Sequence, residues 1–346
     1  MTDASPDPLD GWELGRPLPR DARVFVAGSS GLVGSAVVRH LRAAGFTDVV
    51  GVRSAQVDLR DAEATARFLD DTAPAIVVDA AARVGGIAAN AAEPVEFLHD
   101  NLRIQANLLD AAHRVGVPRL LLLGSSCIYP KFAEQPIRED SLLTGALEPT
   151  NDAYAIAKIA GIMGVQSYRR EYGRAWISAM PTNLYGPGDN FDLEKSHVLP
   201  ALMRKFHEAT VSGAPTVTVW GTGTPRREFL HVDDLASACL HLLETYDDPA
   251  PINVGVGEDV PIADLAALVA HTVGFRGEIV YDTSRPDGTP RKLLDVSRLQ
   301  ALGWKPTIGL AEGLASTYQW FLEQLRETQH QGEHADRGAR PGEGTR

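Results

Sequence analysis

Four side chains in this sequence make a kit for moving protons at a carbonyl: Ser125, Cys127, Tyr154 and Lys158. Tyr154-Ala155-Ile156-Ala157-Lys158 predicts the first turns of a helix, where residues four apart share one face, so the phenol and the ammonium can meet. Ser125 follows an apolar run over residues 120–123 and Gly124, which reads as a buried parallel strand. A hydroxyl and a phenol can hydrogen-bond a carbonyl oxygen, and a nearby lysine favours the tyrosinate electrostatically. Cys127, within Ser125-Ser126-Cys127-Ile128-Tyr129-Pro130, is the unusual addition. Taken singly, a Tyr and Lys four apart are usually surface neighbours, and a lone cysteine is usually a small buried apolar residue. Cys239 fits that bland description and is assigned no role.

The elements that must position these groups alternate. Residues 23–27 predict a buried strand that runs into Gly28-Ser29-Ser30-Gly31-Leu32-Val33-Gly34 and then an apolar helix through Leu41. Glycines in such a turn permit positive φ and close backbone approach, and the N–H groups at the helix start suit a pyrophosphate. The spacing is G-x-x-G-x-x-G, and only the strand before it and the helix after it make it a dinucleotide signal. A second strand over residues 48–52 ends at Arg53. An acid there would bond the ribose 2′-hydroxyl of NAD, whereas a base accommodates the 2′-phosphate of NADP, so Arg53 predicts NADP. Asp58 and Asp61 open the next helix, as caps or as adenine contacts. Residues 75–80 predict a third strand, 94–115 a long helix carrying Asn101 and Asn107, and 176–180 a further strand. This alternation predicts an α/β fold with a doubly wound parallel sheet. Gly28, Ala81, Ser125 and Pro181 fall at carboxyl ends of its strands, where such sheets bind ligands.

Composition narrows the class. The 346 residues are 44% hydrophobic and carry a formal charge of −12, which argues against nucleic acid and anionic membrane as partners. Two cysteines make neither a disulfide framework nor a metal set, so no metal is expected and a reducing cytoplasm is the natural compartment. Residues 1–21 are polar and Pro/Asp-rich without an apolar core segment, so neither a signal peptide nor an ordered element is expected there. No run of 18 apolar residues predicts a membrane span. His231 reads as structural.

Gly28 to Gly34 with Ser125, Tyr154 and Lys158 resembles the extended short-chain dehydrogenase/reductase superfamily. Longer stretches resemble its GDP-L-fucose synthase branch: Val84-Gly85-Gly86-Ile87, Gly124 to Lys131, Leu147 to Asn151, Tyr154 to Gly161, Pro181 to Pro187 and Ser196-His197-Val198. The resemblance covers about residues 23–325. It implies a mainly NADP-binding Rossmann-type domain over 22–190. A smaller α/β substrate-binding domain over 191–327 returns some segments to the first, between a flexible extension (1–21) and a disordered tail (328–346). The implied reaction is 3,5-epimerisation of GDP-4-keto-6-deoxy-D-mannose followed by NADPH-dependent reduction of its 4-ketone, in a homodimer.

On that resemblance Ser125, Tyr154 and Lys158 serve the ketone and the hydride step, with Cys127 as base and His197 as acid for the epimerisations. The cofactor set is Gly28, Ser29, Ser30, Gly31, Leu32, Val33, Gly34, Arg53, Leu123, Gly124, Ser125, Ser126, Lys158, Pro181, Thr182, Asn183, Leu184 and His197. The GDP end falls to Lys205, Trp220, Arg227 and Asp287, with Arg227 suited to a diphosphate; Trp220 either packs on the ligand or plugs the second core. Arg226, Arg285 and Arg291 add basic charge that fits an anionic ligand. The sequence departs from the family in carrying Ser29 and Ser30 where relatives place a basic residue, and only Arg53 after the second strand. Among alternatives, a 4,6-dehydratase would want an acid where this chain has Cys127, and a non-catalytic sensor would commonly lose Tyr154 or Lys158. A GDP-colitose synthase would share Cys127 and His197.

Overall fold

The structure is a computed structural model that describes residues 9, 11–193, 196–285 and 287–338. The first half runs β1 (Val24–Ala27), α1 (Leu32–Ala43), β2 (Val49–Gly51), α2 (Ala62–Thr72), β3 (Ile76–Asp79), α3 (Ile87–Ala92), α4 (Pro94–Arg114), β4 (Arg119–Leu123), α5 (Asp152–Tyr172) and β5 (Ala175–Pro181). The second runs β6 (Asn183–Tyr185), α6 (Val198–Ser212), β7 (Thr216–Trp220), β8 (Arg226–Arg227), β9 (Phe229–His231), α7 (Val232–Thr245) and β10 (Ile252–Val254). It closes with β11 (Val260–Pro261), α8 (Ile262–Val273), β12 (Glu278–Asp282), β13 (Arg291–Lys292), α9 (Ser297–Ala301) and α10 (Leu310–Gly338).

Six strands lie in the order β10-β5-β4-β3-β1-β2, and all their pairings are parallel. Strands β1, β3 and β4 are buried throughout, because helices cover both faces of a parallel sheet and leave no solvent face to alternate with. Alternation survives in which core each side chain joins. Val24 and Val26 enter one cluster with α1 and α7, while Phe25 and Ala27 enter the other with α4 and α5. A third cluster gathers α6, α8, β7 and Leu314 of α10 away from the sheet. Strand β10 and helix α7, from late in the chain, return to the main sheet and its first core. The chain order reverses between β1 and β3, and that crevice receives the glycine turn. Among the described residues no helix is long and apolar enough to cross a membrane.

Two expectations fail at the termini. From Leu9 onward the N-terminal segment is packed: Leu9, Leu18 and Ala22 are buried in the first core. Glu244 at the end of α7 holds it, accepting from Leu18 N at 3.0 Å and Arg20 Nη1 at 3.0 Å, while its carbonyl accepts from Gly15 N at 2.7 Å. Proline-rich composition conceals two leucines at positions that meet a helix face. Residues 1–8 and 10 lie outside the described residues. Leu18→Ala is expected to lower stability by about 3 kcal/mol, the typical cost of a cavity in a core; a chemical denaturation curve overlapping that of the native protein would mean that this segment is loose after all. At the other end α10 runs through Gly338, past the predicted onset of disorder at 328. The stretch from 328 to 338 has no proline to break a helix, although it carries two glycines. Residues 339–346 lie outside the described residues.

Candidate functional site

The glycine turn is built for close approach. Gly28 has φ +74°, and a Cβ there would lie 2.7 Å from Ala80 O at the end of β3. A Cβ on Gly34 would lie 2.1 Å from Gly28 O, so α1 packs directly onto the turn. Gly31 is the N-cap of α1 and offers no side-chain cap, and the first turn holds no acid. Its opening N–H groups are therefore left to suit an anion. Ser29 Oγ reaches Val52 O at 3.5 Å, which brings the turn to the end of β2 beside exposed Arg53. Among the described residues the Arg53 guanidinium has no ion-pair partner. Asp61 caps α2 through Ala64 N, and Asp58 pairs with Arg60 at 2.8 Å, so both have structural bonds here. Asn101 clamps Arg83, accepting from its N–H and donating to its carbonyl, and Asn107 donates to Leu59 O; both are structural. This arrangement fits a dinucleotide laid over β1, β2 and β3.

At the end of β4 the chain turns through a 3-10 segment, Ser126–Ile128. Ser126 and Ile128 are buried, whereas Ser125 and Cys127 are only partly so and open on the same side. Ser125 Oγ accepts from Cys127 N at 3.2 Å, which ties the two together. Behind them Tyr129 donates to Asn253 Oδ1 at 2.6 Å, fastening the turn to β10. Tyr154 and Lys158 lie on one face of α5, as their spacing predicts, and Ser125 hydrogen-bonds the phenol.

Lys158 does not ionise the phenol. Its Nζ donates to Leu123 O at 2.9 Å, and its charge neighbour is Asp79, at the end of β3. Burial pushes the Asp79 carboxyl up to about 6, against the pull of Lys158. Burial, then the charge of Cys127, push the Tyr154 phenol well above its ordinary range, opposed by the Ser125 hydrogen bond. The phenol is therefore a proton donor at neutral pH, and the expected tyrosinate is a correction.

Cys127 carries the lowered thiol. Burial raises it, but Lys292, Ser125 and Arg227 outweigh burial and leave it below the ordinary thiol range. Its Sγ lies 3.4 Å from Asn151 Nδ2 and 3.5 Å from Lys292 Nζ. Cys239, by contrast, is sealed in the first core, and burial pushes it up to about 12. His197 stands at the N-cap of α6 without a capping bond; the residue is exposed overall, but desolvation of its ring by the surrounding chain, and then the Lys292 charge, lower its imidazole.

The second-half residues divide. Trp220 is 56% exposed at the end of β7, so it does not plug the core. Lys205 and Arg285 flank its ring at 5.1 and 5.0 Å. Arg227 is half-buried and feels both Cys127 and Asp287. Asp287 accepts from Thr222 N at 2.7 Å and Thr222 Oγ1 at 2.9 Å, so it also holds the turn after β7. Arg226 and Arg291 both pair with Asp259, which removes them from the expected anion set. Pro181 closes β5, Thr182 follows it, and Asn183 and Leu184 open β6; Thr182 and Asn183 hydrogen-bond Glu228 O.

The sequence profile of the NAD dependent epimerase/dehydratase family matches residues 24–255. GDP-L-fucose synthase 1 of Arabidopsis thaliana is 54% identical over 315 residues, 91% of this chain and 98% of the relative. The chain belongs to that family, among its GDP-L-fucose synthases. The GDP-L-fucose synthase of Escherichia coli (strain K12) is 54% identical over 310 residues, 87% of this chain and 97% of the relative. A solved GDP-L-fucose synthetase from Naegleria fowleri, bound to NADP, aligns with a TM-score of 0.84 at 31% identity, over 91% of this chain and 98% of that one. A GDP-L-colitose synthase from Yersinia pseudotuberculosis stands further off, at 36% identity over 304 residues, 87% of this chain and 98% of the relative.

Seen as a GDP-L-fucose synthase site, the cleft contains three residues that sequence reasoning missed: Asn151, Lys292 and, behind them, Glu228. Glu228 is fully buried; its carboxylate accepts from Val256 N at 2.6 Å, Gly257 N at 2.7 Å and Leu294 N at 3.1 Å. It thereby locks β8, which carries Arg227, to the segment that carries Lys292. A buried acid directly after Arg226-Arg227 was the signal available in the sequence.

Proposed function

We propose that this chain converts GDP-4-keto-6-deoxy-D-mannose to GDP-L-fucose by 3,5-epimerisation and then NADPH-dependent reduction at C4. The observation that carries the proposal is a lowered thiol, Cys127, on the same turn as the Ser125 hydroxyl that bonds the Tyr154 phenol. Protons at C3 and C5 are α to the ketone. Cys127 removes one, the electron pair moves to the C4 oxygen, and Ser125 and Tyr154 hold that oxyanion. His197 returns a proton on the opposite face. In the ligand-free protein its lowered imidazole is neutral; the charge of a bound diphosphate works in the opposite direction and favours the acid form.

When bound, NADPH supplies the hydride for C4. Gly28 to Gly34 and the start of α1 would hold its pyrophosphate. Lys158, with donors beyond the one directed at Leu123 O, would hold the nicotinamide ribose. Tyr154 gives its proton to the C4 alkoxide. Arg227, Lys205, Trp220 and Asp287 would take the GDP end, and Arg227, whose guanidinium keeps donors beyond the one given to Arg226 O, is the diphosphate ligand of that set. The division into a cofactor-binding unit over 22–190 and a substrate-binding unit over 191–327 belongs to the same reading. So do a homodimer, a cytoplasmic location and the absence of nucleic-acid or membrane partners, which light scattering and fractionation test.

The deciding experiment is incubation with GDP-4-keto-6-deoxymannose and NADPH in deuterated water, followed by NMR. Deuterium at both C3 and C5 of a fucose product supports the proposal; a reduced product without either would end it. NADPH is expected to bind tighter than NADH, and Arg53→Ala to cut that preference about tenfold, the worth of one charge-assisted hydrogen bond. Fluorescence titration showing the same ratio in both proteins would mean that Arg53 does not serve the 2′-phosphate.

A further inference from the structure

Lys292 sits on β13, a two-residue strand parallel to β8, directly opposite Arg227. Its backbone is held on both sides. Leu293 N donates to Gln135 Oε1 at 2.9 Å, Leu294 N donates to Glu228 Oε2 at 3.1 Å, and Leu293 O accepts from Ile137 N at 2.8 Å. The ammonium is thus delivered by a fixed strand rather than by a free loop. It faces Cys127 Sγ at 3.5 Å.

The chemistry of that contact is one-sided. An ammonium has three donors and no acceptor, so the sulfur facing it must accept, and a thiolate accepts far better than a thiol. The other groups around the sulfur act with Lys292 or are neutral: Arg227 from β8, Asn151 from the start of α5, Ser125 from the same turn, and the protonated phenol of Tyr154. His197, from the start of α6, also faces Lys292, and the two positive forms disfavour each other. The acids in reach, Asp287 and Glu148, act on Arg227. Lys131 holds Glu148 at 2.8 Å.

We propose that Lys292 is a positioning residue for the epimerisation chemistry: its ammonium keeps Cys127 as the thiolate that removes protons beside the ketone. This rests on the function proposed above. In the step it serves, the carbon–hydrogen bond breaks and a sulfur–hydrogen bond forms. The electron pair moves to the ketone oxygen, and Lys292 itself neither gains nor loses a proton.

The test is the pH dependence of Cys127 alkylation by iodoacetamide in the full chain, read by peptide mass spectrometry. Cys239 is only 1% exposed and stays unlabelled. Lys292→Met is expected to raise the alkylation midpoint by about 1–3 units, the usual effect of removing a cation in contact. Labelling near neutrality then slows tenfold or more. Lys292→Arg keeps the charge and is expected to restore most of both. Deuterium uptake at C3 and C5 falls in parallel with labelling, while NADPH consumption by direct reduction of the ketone falls less. A midpoint that stays put in Lys292→Met overturns the proposal, as does a midpoint that moves equally in Lys292→Arg. Native protein that exchanges neither proton would overturn the function instead and would leave a shifted midpoint standing, so the two failures are distinguishable.

Discussion

Cys127→Ser stops deuterium uptake at C3 and C5 while the ketone is still reduced. Serine fits where cysteine was, and the donors Asn151 Nδ2 and Lys292 Nζ that faced sulfur at 3.4 and 3.5 Å can face a hydroxyl instead, so folding is unaffected. What is lost is basicity. A hydroxyl beside a cation remains protonated near neutrality, and the exchange rate falls by about 10²–10⁴, the range for removing a general base. Ser125, Tyr154 and Lys158 are untouched, so hydride still reaches C4 and an unepimerised 6-deoxy sugar nucleotide accumulates. NMR of the product in deuterated water separates the two outcomes. Exchange of both protons at the native rate in this variant would sink the assignment of Cys127 as base.

The parts of this site that sequence reasoning reaches are local in the chain. Tyr154 and Lys158 meet because helical spacing requires it, and Ser125 and Gly28 lie at strand ends because apolar runs stop there. Those signals need only a few residues of context. The contact between Lys292 and Cys127 spans 165 positions and rests on a strand of two residues, too short for any periodicity. Arg226 and Arg291 read as free basic charge until the fold puts Asp259 between them. Ligand cations and structural cations look alike in composition, and only the partner distinguishes them. The N-terminal segment misleads for a related reason: polar composition averaged over residues 1–21 hides Leu9 and Leu18, whose burial depends on the face of α7. Lys158 lies on the same face of α5 as Tyr154, as helical spacing predicts, but its electrostatic partner, Asp79, comes from the end of β3, which no local spacing reveals.

The protonated phenol gives the second large effect. Tyr154→Phe is expected to slow NADPH oxidation by about 10²–10⁴ while exchange at C3 and C5 falls by about tenfold or less. Hydride arriving at C4 leaves an alkoxide that must take a proton, and the protonated phenol of Tyr154 is the donor placed for it. Enolisation needs the same oxygen stabilised but not protonated to completion, and Ser125 still supplies a hydrogen bond there. The ring itself packs edge-on against Phe97 with centroids 6.5 Å apart, a contact that phenylalanine keeps, so the variant is expected to fold. Because burial raises the phenol, the donor form persists well into the alkaline range. Reduction by the native protein should therefore show no loss at high pH until beyond the ordinary phenol value. Exchange should instead rise with pH through the lowered thiol. Single-turnover measurements with NADPH against pH read the first, and deuterium uptake reads the second. Equal losses of reduction and exchange in Tyr154→Phe would mean that one group serves both chemistries, and the separation between the phenol on the oxygen and the thiol on the carbons would fall.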